Sequence, residues 1–209
     1  MDNTKHIIAL SGFIGSGKDT VADYLVNFME FKRVSFAGTL KDSVAAVFGW
    51  DREMLEGRTK ESRTIREQVD TWWANRLNMP HLTPRWVLQY WGTDVCRHGF
   101  HDDLWIASLE NKIQASKDNI VITDCRFPNE VECIRRNDGK VVWIRRGMLP
   151  DWYSTASRAN SGDKEAIAKL AEYKIHASET AWAGTNFDAI LDNNSTIDDL
   201  YTQVRQLVT

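Results

Sequence analysis

The stretch Ala9-Leu10-Ser11-Gly12-Phe13-Ile14-Gly15-Ser16-Gly17-Lys18-Asp19-Thr20 decides how the rest of the chain is read. Before it, His6-Ile7-Ile8-Ala9-Leu10 is an apolar run of the length of a buried strand. After it, Val21, Ala22, Leu25, Val26 and Met29 recur at helical spacing. Gly12 to Lys18 therefore spells G-x-x-x-x-G-K in the strand–loop–helix setting that a phosphate-binding loop requires. The glycines let the backbone curl so that N–H groups around Gly15, Ser16 and Gly17 point inward at a polyphosphate, and the helix N-terminus adds its positive dipole. Lys18 supplies a mobile ammonium for the outer phosphates, where charge grows during transfer. The plainer alternative, a glycine-rich turn feeding a helix, leaves the lysine and the spacing unexplained.

The loop departs from the commonest pattern at one place. Ser or Thr usually follows the lysine and ligates Mg²⁺ through its hydroxyl; here Asp19 follows, and then Thr20. Asp19 reads either as a carboxylate helping to hold Mg²⁺ or as an acidic residue favoured in the first helical turn.

Length and composition narrow the class. The 209 residues fit one α/β domain with an insertion. A net charge of −3 leaves no basic surplus for general nucleic-acid binding. No apolar run reaches membrane-spanning length, and Met1-Asp2-Asn3-Thr4-Lys5 lacks a signal-peptide pattern. Cys96, Cys125 and Cys133 form no CxxC pair, which fits reduced thiols in a cytoplasm.

Five strands are expected at 6–11, 33–37, 119–124, 140–145 and 187–192, separated by helical patterns. That alternation predicts a three-layer α/β fold of the P-loop NTPase type with a mainly parallel five-stranded sheet. A helical insertion over about 42–118 lies within it. Thr83-Pro84 is a helix start and Gly99 a stop. The run Glu56–Glu67 reads as a solvated, ion-paired helix face, or else some of its arginines reach a phosphate. Residues 146–162 read as irregular, part of a lid over about 146–178. Ile197, Leu200, Tyr201, Val204, Leu207 and Val208 share one face of a final helix capped by Ser195 or Thr196.

Asn119-Ile120-Val121-Ile122-Thr123-Asp124 is an apolar strand ending in a carboxylate. Beside a phosphate loop, Asp124 is placed to hold Mg²⁺ through water; alone, it is a turn former. Arg126 follows at the carboxyl end of the strand, where open α/β sheets bind ligands. It either clamps a phosphate or pairs with Glu130, four residues on.

Taken together, these blocks resemble the bacteriophage deoxynucleoside monophosphate kinases. The resemblance is carried by Gly17-Lys18-Asp19-Thr20, Phe36-Ala37-Gly38-Thr39-Leu40-Lys41, and Gln89 to Asp94 with Arg97 and Trp105. It continues in Asp124 to Glu130, His176-Ala177-Ser178-Glu179 and Phe187-Asp188 leading to Asp192-Asn193. It implies transfer of the γ-phosphate of ATP to a deoxynucleoside 5′-monophosphate with Mg²⁺, a homodimer, and a site of action in a host cytoplasm. It also implies a phosphate-binding lid after the fourth strand, drawing on Arg145, Arg146 and Arg158. The residues fit that picture. Lys18 and the loop hold the donor, Asp19, Thr20 and Asp124 organise Mg²⁺, and Lys41, Arg97 and Arg126 serve the acceptor phosphate, with Glu130 beside them. Phe36, Trp91 or Trp105 could wall the acceptor base, unless each belongs to the core.

Other constellations are weaker. Cys96, His98, His101, Asp102 and Asp103 lack a second Cys/His pair for zinc. His176, Ser178 and Glu179 lack a nucleophile elbow. A GTPase would carry Asn-Lys-x-Asp, which is missing. A P-loop kinase of another small acceptor (dephospho-coenzyme A- or phosphomevalonate-type) and a non-catalytic nucleotide-binding module are the alternative readings.

Overall fold

A computed structural model describes residues 5–208. Five parallel strands form one sheet in the order β2-β3-β1-β4-β5: β1 Ile7–Ser11, β2 Phe31–Val34, β3 Asn119–Ile122, β4 Lys140–Arg145 and β5 Ala189–Asp192. The central strand β1 is buried along its whole length, which is why it reads as a continuous apolar run.

The chain divides into two compact units. One is built from the residues up to Ser35 and from Glu110 onward; the other spans Phe36–Leu109.

The first unit holds the sheet. Ile8, Leu10, Val142 and Ile144 point to one face, where Val21, Ala22 and Leu25 of α1 (Lys18–Phe28) meet Leu200, Val204 and Leu207 of α12 (Ile197–Val208). Thr196 caps α12, its Oγ1 accepting from the Asp199 amide at 3.2 Å. On the opposite face lie Ile7, Ala9 and Val141, with α8 (Pro128–Arg136) packed along β1 and β4. Helices on both faces of a parallel sheet give the expected three layers.

The second unit is helical: α2 Gly38–Phe48, α3 Arg52–Glu56, α4 Lys60–Ile65, α5 Thr71–Leu77 and α6 Pro84–Tyr90. Val44, Leu55, Ala74, Leu82 and Val87 form its core. Helix α6 starts as its sequence predicts, with Pro84 at the first position and Thr83 Oγ1 accepting from the Trp86 amide at 3.0 Å. It continues as a π-helical segment, Trp91–His98, before Gly99. π-Helical turns are rare and concentrate at functional sites. Helix α7 covers Leu104–Ala115.

Three expectations need correction. The second strand is Phe31–Val34, not 33–37, because its partner β3 ends at Ile122 opposite Val34 and offers no ladder beyond. Residues 146–162 are not irregular throughout: Tyr153–Asn160 is helix α9, followed by α10 (Lys164–Glu172) and α11 (Ala177–Thr180). The Ser/Asn-rich composition is overridden by packing, since Thr155 and Ala156 are buried and Tyr153 stacks on Trp143. Glu56 is no solvated surface residue either. It bridges Lys41 and Arg52, with Nζ and Nη1 2.7 and 2.6 Å from its two oxygens. Among the described residues no helix is long and apolar enough to cross a membrane.

Candidate active site

The loop between β1 and α1 has the backbone that its glycines foretell. Gly12 and Gly17 lie at φ +141° and +104°, and both are crowded. A Cβ on Gly12 would sit 2.6 Å from the carbonyl oxygen of Ile144, and one on Gly17 would sit 2.4 Å from Asn193 Nδ2. The Asn193 amide donates to the Ser16 carbonyl at 2.8 Å, so the end of β5 fixes the middle of the loop.

Lys18 folds back over the loop. Its Nζ donates to the carbonyls of Gly12 and Phe13, each at 2.8 Å. Burial pushes its pKa down to about 8, and the nearby Arg126 guanidinium pushes the same way, against Asp19 and Glu179. Arg126 and Glu179 thus lie within electrostatic reach of Lys18. Lys18 and Arg126, two cations held near each other beyond the ends of β1 and β3, can both turn their donors to a polyphosphate. Ser16 Oγ is buried in the loop and has no hydrogen-bond partner among the described residues, an orphan that a ligand oxygen would satisfy.

The carboxylates around the loop are not clustered: among the described residues no three Asp, Glu, His or Cys side chains form a ready metal cage. That donor set suits Mg²⁺, which takes one or two protein oxygens and completes its shell with water and phosphate. Asp19, in the first turn of α1, is 78% exposed at its side chain and lies 3.4 Å from Arg33 Nη1. It makes no capping hydrogen bond; Gly17 occupies the cap position. Thr20 follows one residue on in the same turn. Asp124 stands two residues past the end of β3, and Ser11 Oγ donates to the neighbouring Cys125 carbonyl at 2.8 Å, holding the two strand ends together.

Arg126 does not pair with Glu130. Its Nη1 donates to Glu179 Oε1, 53 positions away. Glu130 is 5% exposed, and its Oε2 accepts from the backbone amides of Arg126 and Phe127 at 2.6 and 3.0 Å. Its carboxylate closes the start of α8, a job that needs no substrate. His176 is likewise structural, its Nδ1 accepting from the Ser178 amide at 3.2 Å at the start of α11.

At the last position of β4, Arg145 pairs with Asp192 at 2.8 Å and holds that carboxyl below its usual range. Arg146 Nη1 lies 3.4 Å from the Gly15 carbonyl, and Arg158 pairs with Asp163 at 2.6 Å. Phe13, inside the loop, meets Trp182 with ring centroids 4.7 Å apart and Trp152 at 5.6 Å. The sequence signals that anchor only through its nine tryptophans.

In the second unit Lys41 is engaged with Glu56 at 2.7 Å. Burial alone would raise the Glu56 carboxyl, but Lys41 and Arg52 outweigh it and hold that group below its usual range. Phe36 and Trp105 are 4% and 6% exposed, core residues rather than an open wall, and Trp105 Nε1 donates to the Gly92 carbonyl at 2.9 Å. Trp91 is half-buried, edge-on to Phe48, and Arg97 sits in the same π-helical segment.

The sequence profile of the deoxynucleotide monophosphate kinase family matches residues 52–155. A protein of Acanthamoeba polyphaga mimivirus named as a deoxynucleotide monophosphate kinase is 29% identical over 95% of this chain and 93% of its own. In sequence the chain is similar to the deoxynucleotide monophosphate kinases. The deoxynucleoside-5′-monophosphate kinase of Escherichia phage T5 is 27% identical over 63% of this chain and 72% of its own length. Shikimate kinase from Bacteroides thetaiotaomicron overlays with 15% identity and a TM-score of 0.43, over 97% of this chain and 96% of that chain. These similarities in sequence are those of a phosphotransferase, and the loop ending at Lys18 carries the phosphate-binding pattern.

Proposed function

We propose that the protein transfers the γ-phosphate of ATP to a deoxynucleoside 5′-monophosphate, giving the diphosphate. One observation carries this reading: the Lys18 ammonium, folded over a phosphate loop, lies within electrostatic reach of the Arg126 fork at the end of the next strand. A loop that cradles one polyphosphate and a planar fork that matches another phosphate are the two halves of a phosphoryl-transfer site.

Lys18 and the amides of Gly15, Ser16 and Gly17 would hold the donor. Asp19, Thr20 and Asp124 offer the hard oxygens for Mg²⁺, which when bound neutralises charge on the phosphates. Arg126 would grip the acceptor phosphate. In the helical unit, Lys41 and Arg97 are proposed as further phosphate-binding cations, Lys41 being paired there with Glu56 at 2.7 Å. The helical unit Phe36–Leu109 takes the role of an acceptor-binding insertion and residues 146–178 that of a lid, with Arg145, Arg146 and Arg158 in or beside it. A homodimer and a host cytoplasm complete the proposal, the dimer being open to sedimentation measurement.

The test is ADP release measured across the deoxynucleoside and ribonucleoside monophosphates, with ATP and Mg²⁺. Turnover with at least one deoxynucleoside monophosphate is expected. Turnover with none, at any Mg²⁺ concentration, overturns the proposal.

A further inference from the structure

Arg126 and Glu179 come from segments distant in the chain, and each is pinned independently before they meet. On one side, the Arg126 amide is fixed by Glu130 Oε2 at 2.6 Å, and the carbonyl of the preceding Cys125 by Ser11 Oγ at 2.8 Å. On the other, Glu179 sits in α11, whose start is capped by His176. The Thr180 and Ala183 carbonyls at and beyond its end both accept from Asn160 Nδ2 at 2.8 Å. Trp182, three residues past Glu179, is buried against the loop residue Phe13.

The pair itself is about three-quarters buried, with side chains 29% and 23% exposed. Glu179 takes Nη1 only. Among the described residues it is the sole side-chain partner of that guanidinium, so Nε and Nη2 keep their donors. Those two donors form one of the parallel edges that an arginine offers to a phosphate.

We infer that Glu179 is a positioning residue for phosphoryl transfer: it clamps one nitrogen of Arg126 so that the other donors face the incoming phosphate. This rests on reading Arg126 as the acceptor clamp. An arginine side chain free to rotate would have to lose that freedom on binding substrate. One already held by a carboxylate has lost it on folding, and the reacting oxygen is aligned at no further cost. The geometry also explains why the carboxylate is not simply a competitor. It occupies one nitrogen of a five-donor group, and its charge offsets the repulsion between Arg126 and Lys18.

The experiment compares Glu179→Gln, Glu179→Asp, Arg126→Ala and the double variant Arg126→Ala/Glu179→Gln by steady-state kinetics, with melting temperature recorded for each. Glu179→Gln is expected to lower kcat/KM for the deoxynucleoside monophosphate by about 10- to 100-fold, the scale of a misplaced reacting group. KM for ATP should stay within about two-fold. Glu179→Asp should recover part of the loss, and in the Arg126→Ala background Glu179→Gln should add little. The inference is overturned if Glu179→Gln matches an active wild type, or if its loss persists undiminished in the Arg126→Ala background. It is overturned equally if KM for ATP carries the effect. A wild type that turns over no deoxynucleoside monophosphate overturns the functional reading as well, and shows before any variant is compared.

Discussion

Asn193 at the end of β5 donates its side-chain amide to the Ser16 carbonyl at 2.8 Å, and the same amide lies where a Cβ on Gly17 would fall. The loop is therefore shaped from two directions, by its own glycines and by a neighbouring strand. Gly17→Ala should be far more damaging than an ordinary surface change, since it meets both the Asn193 amide and a φ of +104°. Asn193→Ala should cost about 1 kcal/mol, a fall in melting temperature of roughly 2–4 °C for a chain of this size. The double variant should relieve the clash and leave the backbone strain. Thermal melts of the three variants check this; full recovery in the double variant would place the whole cost in the clash.

Lys18 titrates near pH 8 instead of its ordinary 10.5, chiefly through burial. Between those values the unfolded chain binds the proton and the folded chain does not, so this group makes stability rise with pH across that window. Relative to Lys18→Met, the wild type should gain up to about 3 kcal/mol between pH 8 and 10.5. Urea unfolding of both proteins at several pH values measures the difference. A difference that stays flat would mean that Lys18 keeps its proton. The neutral amine should also react readily with an acylating reagent at pH 8.5, and ATP should protect it.

Asp19 lies 3.4 Å from Arg33, which also holds Asp23 at 2.8 Å. A guanidinium so close competes with any cation for the Asp19 carboxylate. Asp19→Asn should raise the Mg²⁺ concentration needed for half-maximal activity, and Arg33→Gln should lower it. Titrations of both variants decide between this role and a purely helical one. An unchanged Mg²⁺ midpoint in both leaves Asp19 as a residue of the first turn only.

Glu56 gathers Lys41 and Arg52 in the second unit, and its carboxyl sits below the usual range. A depressed carboxyl contributes stability above its unfolded pKa and loses it as pH falls through the folded one. Glu56→Gln should therefore destabilise the protein at pH 7 and flatten its loss of stability toward acid. It leaves two half-buried cations without their shared anion. Unfolding curves at pH 7 and pH 4 test this; equal destabilisation at both would show that the charge is irrelevant.

The parts of this molecule that were legible from sequence are those set by neighbours along the chain. The loop from Gly12 to Lys18, the apolar strands around it and the Thr83–Pro84 helix start depend on local spacing, and each is found where expected. What failed depends on contacts far apart in sequence. The end of β2 is fixed by the length of β3, and α9 exists because its side chains bury against an aromatic cluster. At the site, Arg126 chose Glu179 over the nearby Glu130, because Glu130 points back onto backbone amides at the start of its own helix. Phe36 and Trp105 have the chemistry of a base-stacking wall, and only burial shows that they are core.

The most direct test of the account is the kinetic split in Arg126→Lys. A lysine keeps the charge and loses the planar fork, so a bidentate phosphate grip should suffer and the Lys18 loop should not. The account predicts that kcat/KM for the deoxynucleoside monophosphate falls at least about ten-fold while ATP affinity stays nearly unchanged. Weakened ATP binding with an intact kcat/KM for the acceptor would contradict it.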